Sequence, residues 1–198
     1  MTSLDLWPIG NCQVSALIDR AGRFIWGCVP RVDGDPTFCS LMRGEDGQEL
    51  GTWRFVLDDQ VSVGQEYLRN TPILRTRLTD ANGGKVDVID FCPRFERSGR
   101  MFRPVAFARI VRPVSGSPRL RVLLTPMNGY GGAQAPITHG TNHVRYLIER
   151  HALRLAVGDG VGERGRGGIA RAFGLVGAQH AADRMLGRAL RDHRHRHA

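Results

Sequence analysis

Short stretches of alternating apolar and polar residues run through the first 150 residues, separated by clusters of Gly, Asp, Asn and Pro. A period of two predicts β-strands. Val14–Ile18 and Phe24–Cys28 flank Asp19-Arg20-Ala21-Gly22, and Gly22 suits a hairpin turn because it takes positive φ without a Cβ clash. Trp53–Leu57 alternates in part. Ile73–Thr79 and Lys85–Phe91 flank Asp80-Ala81-Asn82-Gly83-Gly84, the clearest hairpin signal in the chain. Val105–Val111 and Leu120–Leu124 flank Ser115-Gly116-Ser117-Pro118, and His143–Ile148 with Ala152–Val157 gives a last pair. Arg75 and Arg77 share one strand face, as do Arg119 and Arg121. One dry and one wet face is the mark of antiparallel sheets, and many hairpins at short spacing predict a sandwich or barrel. The expected class is therefore all-β, an antiparallel β-sandwich.

The pattern changes near Ala156. Residues 158–168 read GDGVGERGRGG, too rich in glycine for a strand and too poor in apolar residues for a core. From Ile169 to Arg191 the chain is Ala/Leu/Arg-rich, and Phe173, Val176, His180 and Ala181 fall at helical spacing. The expectation is a sandwich over residues 1–156, incomplete, followed by a basic tail over 157–198 that is partly helical or disordered.

The length, 198 residues, suits one domain with a tail. The formal charge is +9, but residues 1–150 carry 19 basic against 15 acidic groups, so the tail holds more of the surplus. Lys85 is the only lysine. A phosphate-binding surface would not exclude lysine so fully, which disfavours nucleic acid and points to GC-rich coding. Cys12, Cys28, Cys39 and Cys92 form no C-x-x-C pair. The start has neither a basic nor an apolar leader segment, and no apolar run is long enough for a membrane helix. These features predict a cytoplasmic protein with reduced, mostly buried thiols and no membrane contact.

Candidate chemistry is sparse. Glycoside hydrolysis needs two carboxyl groups about 5–9.5 Å apart across the scissile bond. Asp87 and Asp90 have odd separation, which places them on opposite faces of a strand. Asp58-Asp59 reads as a turn. Asp33 and Asp35 lie in a Val-Asp-Gly-Asp-Pro loop where turn chemistry is the ordinary explanation. There is no G-x-S-x-G and no P-loop; Gly129-Tyr130-Gly131-Gly132 reads as a flexible crossover. His139 and His143, broken by Gly140 and Asn142, read as loop residues without a third ligand. Trp7, Trp26 and Trp53 read as core or interface residues, with Phe24 and Trp26 on one face. No catalytic residue, cofactor or metal is expected.

Residues 8–42, PIGNCQVSALIDRAGRFIWGCVPRVDGDPTFCSLM, resemble the opening of the trehalase-like N-terminal domain of glycoside hydrolase family 15. The likeness lies in Ile9-Gly10-Asn11, Ala16-Leu17-Ile18, Asp19 to Gly22, Trp26-Gly27-Cys28, Val29-Pro30-Arg31-Val32-Asp33 and Phe38 to Leu41. It continues in Tyr67 to Thr71 with Ile73-Leu74, and in Val86 to Pro93. Val32 stands where the family has Phe. The resemblance covers residues 4–155 and implies a supersandwich-like fold that accompanies an (α/α)6 barrel. The paired catalytic glutamates lie in that barrel, so it implies a non-catalytic accessory domain, inactive alone. Its parent would invert α-glucosidic bonds as a glucoamylase or trehalase does, and α-glucosides would be met through the catalytic domain. Arg31, Asp33 and Asp35 are the residues expected nearest substrate. The break near residue 156 reads as a truncation or frameshift, which would open a sheet edge to self-association. The alternatives are a free-standing carbohydrate-binding β module and a basic nucleic-acid binder.

Overall fold

A computed structural model describes residues 4–43, 49–140, 143–148, 151–159 and 171–177. The chain opens with β1 (Trp7–Gly10), β2 (Ser15–Ile18), β3 (Phe24–Cys28), β4 (Pro36–Phe38) and β5 (Thr52–Leu57). It then builds β6 (Gln60–Tyr67), β7 (Leu74–Asp80) and β8 (Lys85–Phe91), followed by a hairpin of β9 (Phe95–Arg97) and β10 (Arg100–Phe102). Next come β11 (Ala106–Ser115), β12 (Leu120–Thr125), β13 (Met127–Asn128) and β14 (Ala133–Gln134). The last are β15 (Ile137–His139), β16 (His143–Ile148), β17 (His151–Asp159) and β18 (Arg171–Gly177). Among the described residues the only helical turn is a 3-10 turn at Ser40–Met42, and no helix is long and apolar enough to cross a membrane.

Two main sheets carry the fold. One runs β1-β2-β3-β5-β12 with β4 on β3; the other runs β15-β16-β17-β18-β11-β8-β7-β6. The described pairings are antiparallel, so the expected all-β class holds. The core lies where both sheets contribute apolar residues: Phe24, Phe38, Trp53 and Leu124 from the first, Leu74, Leu78, Val88 and Phe107 from the second. Phe24 meets Trp53 and Phe107 edge-on, with centroids 5.3 and 5.6 Å apart, the geometry ring quadrupoles favour.

Local signals explain much of this. Gly22, at φ +76°, closes the β2–β3 turn, and Asp19 Oδ1 accepts from the backbone N–H groups of Ala21 and Arg23. Gly83, at φ +79°, closes β7–β8, where Asp80 Oδ1 accepts from the N–H groups of Asn82 and Gly84. Arg75 and Arg77 do share the wet face of β7, pairing with Glu66 and Asp87.

Three expectations are corrected. The helix over Ile169–Arg191 is not formed at 171–177, which instead make β18, paired to β11 on one side and β17 on the other. Helix propensity is a weak prior, and two open ladders offer that segment backbone hydrogen bonds on both sides. The remainder of that predicted helix, the Gly-rich 160–168 and the terminal 191–198 lie outside the described residues. Second, Ser115–Pro118 does not close a hairpin: β11 pairs β8 and β18, whereas β12 crosses to pair β5. Third, Phe24 and Trp26 do not share a face. A bulge shifts the register so that Leu17 opposes Trp26 while Ile18 opposes Phe24, leaving Phe24 fully buried and Trp26 half-buried.

Candidate functional site

The β3–β4 connection holds the sequence-nominated residues. Arg31 and Asp33 form a bidentate pair, Nε to Oδ1 at 2.8 Å and Nη2 to Oδ2 at 2.7 Å, with both side chains well exposed. Hydrogen bonding from Arg31 holds the Asp33 carboxyl below its usual range, and Asp33 raises the guanidinium in return. A Gly34 N–H to Arg31 carbonyl bond of 3.2 Å closes the turn. Asp33 is thus occupied by its neighbour rather than poised as a base.

Asp35 points elsewhere. It interacts with Tyr130, whose phenol it pushes up by its charge and by a hydrogen bond. Tyr130 sits in the β13–β14 loop at φ 53°, between Gly129 at 53° and Gly131 at 86°. Positive φ in a bulky non-Gly residue is uncommon. Arg43 Nη1 donates to the Gly131 carbonyl at 2.8 Å, and a Cβ at Gly131 would meet Cys39 Sγ at 3.0 Å. The loop is therefore seated closely on the Cys39–Arg43 segment, and Tyr130 is presented to solvent at 61% exposure. Behind it, burial raises the Cys28 thiol, with Asp35 and Asp33 adding to the effect. Gly129–Gly132, expected as a flexible crossover, is a turn closed by Gly131 N–H to the Asn128 carbonyl and Gly132 N–H to the Gly129 carbonyl, and an aromatic flanked by glycines is its signal in the sequence.

The remaining nominated groups do not converge. Asp58 faces Arg121 at 3.7 Å, and Asp59 takes the left-handed turn at φ 52°. Asp87 and Asp90 do lie on opposite faces, as their spacing requires. Asp87 pairs with Arg77 on the outside, while Asp90 enters the core. His139 and His143 flank the β15–β16 turn, and the Arg154 guanidinium lies 3.2 Å from His143 Nδ1. Among the described residues no group of three or more metal-ligating side chains gathers.

The most heavily engaged residue was not nominated. Arg109 of β11 is fully buried and donates from Nε and Nη2 to both oxygens of Asp90, at 2.7 and 3.0 Å. It also donates from Nη1 to the Trp53 carbonyl at 2.6 Å and from Nη2 to the Gly22 carbonyl at 2.5 Å. Its guanidinium lies 4.4 Å from the Phe24 ring centroid and 4.8 Å from that of Phe55. One side chain thus ties the second sheet to the first. Burial pushes the Asp90 carboxyl up, and the charge and hydrogen bonds of Arg109 pull it back. The parity of Asp90 with Val86 and Val88 was the sequence signal that it faces inward.

No curated protein and no solved structure matches the chain. The trehalase-like N-terminal family does match, across residues 6–161, and so spans β1 to β17, including Arg31, Asp33, Asp35, Tyr130 and the Arg109–Asp90 pair. On that match, which covers well over half of its length, the chain belongs to the trehalase-like N-terminal domain family.

Proposed function

We propose that this chain serves as the non-catalytic N-terminal accessory domain of a glycoside hydrolase of family 15, one that inverts α-glucosidic bonds, and that it hydrolyses nothing by itself. The observation that carries this reading is the state of its carboxylates. Inverting hydrolysis needs an acid with a raised pKa and a base across the sugar from it, about 6.5–9.5 Å apart. Among the described residues, the carboxyl that is raised, Asp90, is fully buried and held by Arg109. The exposed Asp33 is lowered by Arg31, the opposite of what an acid requires. Asp19, Glu66 and Asp87 are each engaged by an arginine. In this reading Arg31, Asp33 and Asp35, with Tyr130 beside them, face the α-glucoside bound by the catalytic partner.

The test is release of glucose from trehalose and maltooligosaccharides by the purified chain. The expected result is no turnover above the rate seen with the Asp33→Asn and Asp35→Asn variants. Turnover abolished by either substitution overturns the reading. One observation favours a second reading, a free-standing carbohydrate-binding module: Tyr130 is an exposed aromatic beside planar charged side chains. Millimolar trehalose shifting the Tyr130 ring resonances without hydrolysis would establish that alternative.

A further inference from the structure

Among the described residues, the β9–β10 hairpin belongs to neither main sheet, and its strands pair only with each other. Ser98 at φ 50° and Gly99 at φ 70° make the two-residue turn of I′ type that suits a tight hairpin. Phe95 and Phe102 stack across it, centroids 6.0 Å apart and planes within 11°, and the Arg97 guanidinium lies 6.0 Å from the Phe102 centroid. The arm is held at its root. Asn11, buried, donates from Nδ2 to the Pro93 carbonyl at 2.8 Å and to the Pro104 carbonyl at 2.9 Å. Its Oδ1 accepts from the N–H groups of Gln13 and Val14. A single amide therefore grips both ends of the hairpin, with a proline at each.

The arm is basic. Residues 93–104 carry Arg94, Arg97, Arg100 and Arg103 against Glu96, a surplus of +3, whereas all of 1–150 carry 19 basic against 15 acidic groups. Several arginines elsewhere hold carboxylates, as Arg23, Arg54, Arg75, Arg77 and Arg109 do. The register sets Arg97 directly opposite Arg100 and gives Glu96 to Met101. Like charges directly opposite on a hairpin oppose its formation. Shifting the glutamate one place would remove that cost. Met101, 48% exposed, lies with Glu96 on the other face of the hairpin.

We propose that the β9–β10 hairpin is a docking arm for an acidic protein surface. Arg97 and Arg100 share one face of the hairpin and converge on a partner carboxylate, which relieves their repulsion. Arginine is enriched in interfaces, and its fork matches a carboxylate two bonds at a time. The clamp at Asn11 fixes the arm beforehand, which lowers the ordering cost of association. A protein fits better than single-stranded nucleic acid. The two rings face each other, and Arg97 lies over Phe102, so the stacking faces a base would need are already taken. This inference stands apart from the accessory-domain reading, since it asks only for an acidic partner.

The experiment measures fluorescence anisotropy of a labelled peptide alternating Glu and Leu, titrated with the full chain, with a single-stranded oligodeoxynucleotide of equal charge as competitor. Arg97→Gln with Arg100→Gln is expected to weaken peptide binding at least about tenfold, a loss typical of truncating paired interface charges. The exposed control pair Arg119→Gln with Arg121→Gln leaves it unchanged. Arg100→Gln alone, which spares the Arg97–Phe102 contact, is expected to keep or raise the thermal midpoint while weakening binding. The proposal is overturned if the chain does not bind the peptide, or if the control pair loses as much as the arm pair. It is equally overturned if the arm pair binds as before, if Arg100→Gln lowers the midpoint, or if the oligonucleotide binds more tightly at matched salt.

Discussion

Replacing Arg109 by methionine tests what holds the two sheets together. Methionine keeps the length and packing of the stem but removes all four donated hydrogen bonds. The Asp90 carboxylate, at 0% exposure, is then left without a cation. Breaking one side of a buried pair costs about 3–5 kcal/mol. The Trp53 and Gly22 carbonyls also lose their donor, each worth about 1–3 kcal/mol when orphaned, though the terms overlap. A total near 5 kcal/mol is expected, a large share of the roughly 5–15 kcal/mol that holds a typical domain folded. With a urea slope of about 2 kcal/mol/M, the midpoint falls by about 2.5 M. Asp90→Leu added to Arg109→Met removes the stranded charge and should return about 3 kcal/mol, leaving the cost of the two carbonyls. Urea unfolding followed by tryptophan fluorescence reads all four corners of the cycle, with equal slopes required. A loss below about 1 kcal/mol for Arg109→Met, or a double variant no more stable than the single, would refute the account.

The other predictions are more local. Asn11→Ala removes four hydrogen bonds at a buried position and should cost about 2–4 kcal/mol, while trypsin cleavage at Arg97 or Arg100 accelerates as the arm loosens. In the native chain Ellman's reagent should titrate exposed Cys12 first; Cys28, Cys39 and Cys92 are buried, their thiols pushed up by burial, and should react only on unfolding. Tyr130 should ionise above the ordinary tyrosine range, because Asp35 disfavours the phenolate, and Asp35→Asn should bring its spectrophotometric titration back down. Gly174→Pro in β18 should cost about 1–3 kcal/mol by removing a ladder donor between Ala108 and Ala156, whereas it would be nearly silent if that segment lay outside the sheet.

Sequence alone carried the fold class because the signals were local. Gly22 and Gly83 announced two turns, and the Arg75/Arg77 spacing announced a wet face. What sequence could not carry was pairing between distant segments. Nothing local tells β11 that its partners are β8 and β18 rather than β12, because register between separate hairpins is settled by packing. β6 was missed because it is largely exposed: Val63 packs against the core, but Val61 and Tyr67 are exposed, so the alternation was weak. The site was legible to the same degree. Arg31 and Asp33, two residues apart, were found together, but Tyr130 joins Asp35 across 95 residues of chain, and periodicity reaches no further than one strand.

The arginine-rich composition has two sources that the structure separates. Scarcity of lysine across the chain fits a coding bias, since exposed positions such as Arg69 and Arg119 demand no particular cation. Other positions demand the fork itself. Arg109 donates in four directions from one plane and lies against aromatic faces, and Arg31 and Arg77 each bind a carboxylate with two parallel bonds. An ammonium is a point charge with none of that planarity, so lysine at those positions would keep the charge and lose the arrangement. A coding bias supplies arginine without regard to position, but only geometry makes it irreplaceable. By that criterion Arg109 belongs to the architecture, the Arg31–Asp33 pair to its loop, and the opposed Arg97 and Arg100, which meet no carboxylate among the described residues, to whatever the hairpin meets.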